Sequence, residues 1–166
     1  MSQINVDTIA TAAGTEQARL VQVVNTQTGA LATGTTVLPI DDTIPQNTEG
    51  DQYMSLAITP THASNILIIE STAYFSAATN NNNAIALFQD STAGALAAGC
   101  HQLWTATAAS VLHLRHKMVA GTTSSTTFKI RVGNGGAGTT CFNGVSSARI
   151  YGGSLASNIT ISEIRA

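Results

Sequence analysis

The stretch Phe128-Lys129-Ile130-Arg131-Val132 decides the fold class. Apolar and charged side chains alternate with a period of two, so on an extended backbone one face is buried and the other is wet. On a helix the same residues would scatter around the axis. Working outward, the alternation recurs upstream. Leu112 and Leu114 alternate with His113 and Arg115, and Ile159 and Ile161 alternate with Thr160 and Ser162 near the C-terminus. The densest run of β-formers, residues 65–75 with Ile66-Leu67-Ile68-Ile69 and Tyr74-Phe75, is nearly continuous, which predicts a central strand covered on both sides. Further strands are expected over residues 19–26, 35–39, 53–59, 84–89, 95–103 and 148–152.

Between these segments lies turn chemistry. Residues 44–50 carry Pro45 and Gly50, residues 59–64 carry Pro60, residues 121–125 open on Gly121, and residues 80–83 form an all-asparagine loop tip. The run Gly133-Asn134-Gly135-Gly136-Ala137-Gly138 reads as a hairpin turn or a disordered tip. Few windows show apolar residues at helical spacing, and no repeat of fixed period is present. The expectation is an all-β fold, an antiparallel β-sandwich or jelly roll, over residues 18–166. Residues 1–17 hold too few apolar side chains for a core strand and are expected to form an extended N-terminal arm, which is either a floppy terminus or a segment that docks on a neighbouring subunit, with Ile4, Val6 and Ile9 available for docking.

Composition narrows the function. Only 10% of the 166 residues are charged, far below the usual quarter, and the net charge is −2. Thr, Ser, Asn, Gln and Gly make up the difference. Such a surface loses little hydration energy when it packs against other protein. The seven basic residues are scattered, which argues against nucleic acid or an anionic membrane as partner. No apolar run approaches the ~20 residues of a membrane span, and the first residues lack the basic and apolar regions of a secretory signal. Synthesis in a cytoplasm follows as an expectation.

No constellation for catalysis emerges, so no enzymatic activity and no cofactor are expected. His113 and His116 fall on opposite faces of a strand and cannot share a metal, and Cys100-His101 has the same difficulty. Cys100 and Cys141 read as two reduced, half-buried thiols. The carboxylates Asp41, Asp42, Glu49 and Asp51 lie close in sequence and could hold Ca²⁺, although their spacing is not that of an EF-hand; a solvated acidic turn is the simpler reading. The glycine-rich run 133–138 lacks the Gly-Lys-Ser/Thr ending of a phosphate loop, and no Gly-x-Ser-x-Gly elbow is present. Trp104, the single tryptophan, could stack on a sugar ring but more commonly such a residue packs in a core or interface.

Four stretches together carry a resemblance: residues 36–50, with the distinctive core Pro39-Ile40-Asp41-Asp42-Thr43-Ile44-Pro45-Gln46; Leu87-Phe88-Gln89-Asp90-Ser91-Thr92; residues 120–128; and Phe142-Asn143-Gly144. They resemble a family of tailed-bacteriophage virion proteins, found as tail-fibre-like or head-surface proteins. The opening Gln3-Ile4-Asn5-Val6-Asp7-Thr8-Ile9 is similar to the start of many phage structural proteins. The resemblance spans residue 20 to the C-terminus and carries over no catalytic residue. It implies a jelly-roll homotrimer exposed on the phage particle. Fibre relatives place such a domain after a long shaft. The short arm here favours a capsid decoration (cement) protein bound to the major capsid protein over a part joined to tail components. The rival is a tail-fibre module that recognises a host surface glycan through loops bearing Asn81, Asn82 and Trp104.

Overall fold

The computed structural model describes residues 19–79, 82–102 and 105–166. The expected arm with Ile4, Val6 and Ile9, and the loop positions Asn81 and Trp104, lie outside the described residues. Eight long strands build the molecule: β1 (Leu20–Thr28), β3 (Asp51–Ile58), β4 (Ile66–Ala77), β5 (Asn82–Gln89), β6 (Ala97–Gln102), β7 (Ala109–Val119), β8 (Thr126–Asn134) and β12 (Ser157–Ile164). Short strands β2 (Ala32–Gly34), β9 (Thr140–Phe142), β10 (Gly144–Val145) and β11 (Ala148–Arg149) complete it. One sheet runs β1-β12-β4-β7, with β9 and β2 continuing beside the far end of β4; the other runs β3-β8-β5-β6. Every pairing is antiparallel. Counted among the eight long strands, the sheets read 1-8-3-6 and 2-7-4-5, the order of a jelly roll. Among the described residues there is no α-helix, only a single 3₁₀ turn at Tyr151–Gly153.

The core lies between the sheets. β4 and β12 contribute Leu67, Ile69, Ala73, Phe75, Ile159 and Ile161; β8 and β5 answer with Phe128, Ile130, Val132, Ile85 and Leu87. Each fully buried Ile, Leu or Phe contributes about 1.5–3 kcal/mol relative to exposure. The inward row of β8 is the alternation that opened the sequence reading.

Four sequence expectations are corrected. Residues 65–75 are central by pairing, between β12 and β7, but only their odd-numbered face is fully buried; Glu70 is exposed and Ile66, Ile68, Thr72 and Tyr74 are half-buried. The strand covered on both faces is β5, whose six residues from Asn83 to Phe88 are all buried. Its second cover comes from residues 35–50, which form no strand over 35–39. Pro39 cannot donate to a ladder. The segment instead crosses the outer face of the small sheet as a strap and inserts Leu38 against Ala84, Ala86 and Phe88. Residues 148–152 are strand only at Ala148–Arg149, because Tyr151, Gly152 and Gly153 take positive φ (51°, 61° and 95°). Finally, residues 135–139 join β8 to β9 across the two sheets and do not close a hairpin.

Candidate functional site

The strands that carry the alternation also fix what the outer face of the β1-β12-β4-β7 sheet presents. Register aligns the outward residues in rows. Ile164, Ile66 and Val119 form one row, Val23, Ser162, Ile68 and Lys117 the next. The middle rows are polar: Asn25, Thr160, Glu70 and Arg115, then Gln27, Asn158, Thr72 and His113. Tyr74 and Val111 return the face to apolar character at its far end, beside Tyr151. Five of the large exposed hydrophobics sit on or beside this face: Leu20, Val23, Val111, Val119 and Tyr151, the last 77% exposed. Tyr151, Val111, Ile150 and Leu155 border a shallow cleft of about 240 Å³. The only charged pair in the centre is Arg115 Nε to Glu70 Oε1 at 3.3 Å, both exposed, which contributes little. His113 Nδ1 lies 2.9 Å from Thr72 Oγ1.

The structure separates the residues that sequence reading grouped. Asp41 Oδ1 accepts hydrogen bonds from the hydroxyl (2.6 Å) and backbone N–H (2.9 Å) of Thr43, which lower its pKa. Glu49 accepts from Gln46 N–H at 2.8 Å. Asp51 accepts from Thr36 N–H and Oγ1 at 3.0 and 2.7 Å. Asp41 and Glu49 thus close local turns and Asp51 ties β3 to the preceding segment, and among the described residues no group of three or more His, Cys, Asp or Glu is placed to hold a metal. Strand alternation does split His113 (exposed) from His116 (half-buried), as expected. The thiols are not alike: Cys100 is exposed and Cys141 buried. Asn82 belongs to β5 and not to a loop tip; its carbonyl accepts from Gly135 N–H at 2.7 Å.

The stretches that carried the resemblance are locks between loops. Asn47 Nδ2 donates to Ser91 O (3.2 Å) and Thr92 O (3.1 Å), and Ala95 N–H donates to Pro45 O (2.9 Å). Asp90 accepts from Thr126 Oγ1 (2.7 Å) and Thr127 N–H (2.8 Å). Asn143 Nδ2 donates to Thr28 O and Ala30 O, while its Oδ1 accepts from the buried Ser157. These residues hold the scaffold and converge on no reactive centre.

No protein-family model matches this sequence, and no curated protein matches it. A comparison with solved structures does find similar chains. The chain is similar to the Eiger TNF of S. frugiperda at 8% identity, covering 86% of this chain and 93% of that one with a TM-score of 0.49. It is similar to a chain of infectious bursal disease virus, Gt strain, at 14% identity, covering 100% of this chain and 42% of that one with a TM-score of 0.43. A third is the sugar-binding EclA C-terminal domain, at 13% identity, 84% and 89% coverage and a TM-score of 0.37. The jelly-roll assignment itself rests on the strand order of this chain.

Sequence reading missed the exposed face because it followed inward residues only. The signal was present: if Leu112 and Leu114 point in, then Val111, His113, Arg115 and Val119 point out.

Proposed function

We propose that this chain is a structural protein of a bacteriophage particle, a non-enzymatic homotrimer that decorates the capsid surface and seats on the major capsid protein through residues 1–17. One observation supports this reading above others: a folded jelly roll leaves an outer sheet face with apolar ends and a polar middle whose charges, Glu70 and Arg115, pair with each other. Such a face is suited to close contact with protein, since its burial removes apolar area from water and strands few charges. Closed cyclic symmetry would also shield from uncontrolled pairing the outer edges of β1 and β7, each paired on one side only among the described residues. The structural use of Asp41, Glu49 and Asp51 fits a scaffold better than a catalyst.

Deletion of residues 2–17 tests the docking role. The shortened protein should keep its β-rich circular dichroism and three-fold mass in solution yet fail to co-sediment with capsids. Undiminished capsid binding would sink the arm's role. Binding to intact host cells or to arrayed glycans, with none to capsids, would instead place the protein among tail-fibre receptor-binding modules.

A further inference from the structure

At the end of the sandwich beneath the 135–139 turn the core changes character. On the small sheet the inward row Phe128, Ile130, Val132 continues to Asn134, and the row Leu87, Ile85 continues to Asn83. Asn83 and Asn134 stand directly opposite each other in register, 0% and 1% exposed. Across the gap the larger sheet continues inward from Phe142 to Thr140, which is 1% exposed and pairs with both Gly34 and Ala77. Two glycines tie these groups together. A Cβ placed on Gly34 would stand 2.7 Å from Tyr53 Oη, whose ring stacks on Phe142 at 4.7 Å. A Cβ on Gly138, two residues before Thr140, would stand 2.9 Å from Asn134 Nδ2.

Both amide oxygens, both amide nitrogens, Thr140 Oγ1 and Tyr53 Oη are buried without a hydrogen-bond partner among the described residues. Buried polar groups in folded proteins are almost always satisfied, and six orphans in one place would cost much of a domain's net stability. The chemistry of the six atoms narrows the ligand. They are neutral and mix donors with acceptors: two amide NH₂ groups, two amide oxygens and two hydroxyls that do both. A cation would leave the NH₂ groups unpaired, and an anion would leave the oxygens unpaired. The nearby carboxylate of Asp51 is committed to Thr36. Water, a small neutral molecule that donates and accepts, matches both halves of the set. At about three hydrogen bonds per buried water, about two molecules suffice.

We infer that this end of the jelly roll is a built internal water site, in which about two ordered waters bridge the sheets through Asn83, Asn134, Thr140 and Tyr53. The site binds one side of the sandwich to the other where apolar packing stops, beneath the turn over residues 135–139. The full-length protein should show magnetisation transfer from long-lived water to the side-chain amides of Asn83 and Asn134. A crystal structure that resolves solvent should place waters within hydrogen-bond reach of both. Thr140→Val, which keeps the shape and removes one hydroxyl, should weaken the transfer to Asn134 and leave the circular dichroism unchanged. A dry chamber with the two amides bonded to each other, density for an ion or another molecule, or transfer unaltered by Thr140→Val would each overturn the assignment.

Discussion

Glu163 is where one residue holds three segments together. Alternation puts it on the inward face with Ile159 and Ile161, and it is fully buried. Burial by itself raises a carboxyl pKa. Here hydrogen bonds outweigh it, from Asn65 Nδ2 (2.6 Å), Gln22 Nε2 (2.5 Å), and the hydroxyl and backbone N–H of Thr61 (2.8 Å each). They hold the pKa at about 2 against an ordinary 4.5. Because the folded value is the lower one, the carboxylate's contribution is complete above pH 4.5 and fades as pH falls toward 2. That gap corresponds to about 3 kcal/mol at most. A solvent-lined cleft of about 360 Å³, bordered by Thr61 and Asn65, reduces it to about 1–2 kcal/mol. Glu163→Gln should therefore lose about 1–2 kcal/mol at pH 7 in denaturant titrations and show a flatter stability profile between pH 5 and pH 2. A profile as steep as that of the parent would disprove the role given to Glu163.

At the scale of elements, the strap over residues 35–50 explains why β5 is apolar on both faces. Leu38 is 0% exposed, its backbone N–H donates to Asn134 O at 2.8 Å, and Gly50 N–H donates to Val37 O at 2.9 Å. A Cβ on Gly133 would press within 2.9 Å of Leu38 Cβ and 2.8 Å of Thr36 O, so glycine is required there for the strap to lie flat. Leu38→Ala should cost about 2–4 kcal/mol through the cavity it opens, measured by chemical unfolding. A cost below about 1 kcal/mol would mean that the strap rests on the sheet without stabilising it. In the sequence, Thr35 to Pro39 matched a strand because Val37 and Leu38 are β-formers; nothing local reveals that a second, nearly filled sheet face waits for Leu38.

For the whole molecule the decisive feature is the face left by β1, β12, β4 and β7. Val23 and Val119, 50% and 54% exposed, lie in neighbouring rows at one end of it. If the proposed homotrimer packs on this face, Val23→Glu combined with Val119→Glu should leave the fold intact, because neither side chain is in the core, and should shift sedimentation from trimer to monomer. A trimer that persists in the double variant would move the subunit contact to another face.

The sequence by itself determined the β class, the positions of the main strands and the near-absence of charge. Those follow from side-chain alternation and turn residues, which act over two to five neighbours. Only the tertiary structure decided which face of β4 stays open, where the strap lands, why Glu163 can be buried, and that Asn83, Asn134 and Thr140 meet. Each of those depends on pairing between residues far apart in the chain, and the jelly-roll crossing of sheets creates that proximity where no local pattern encodes it.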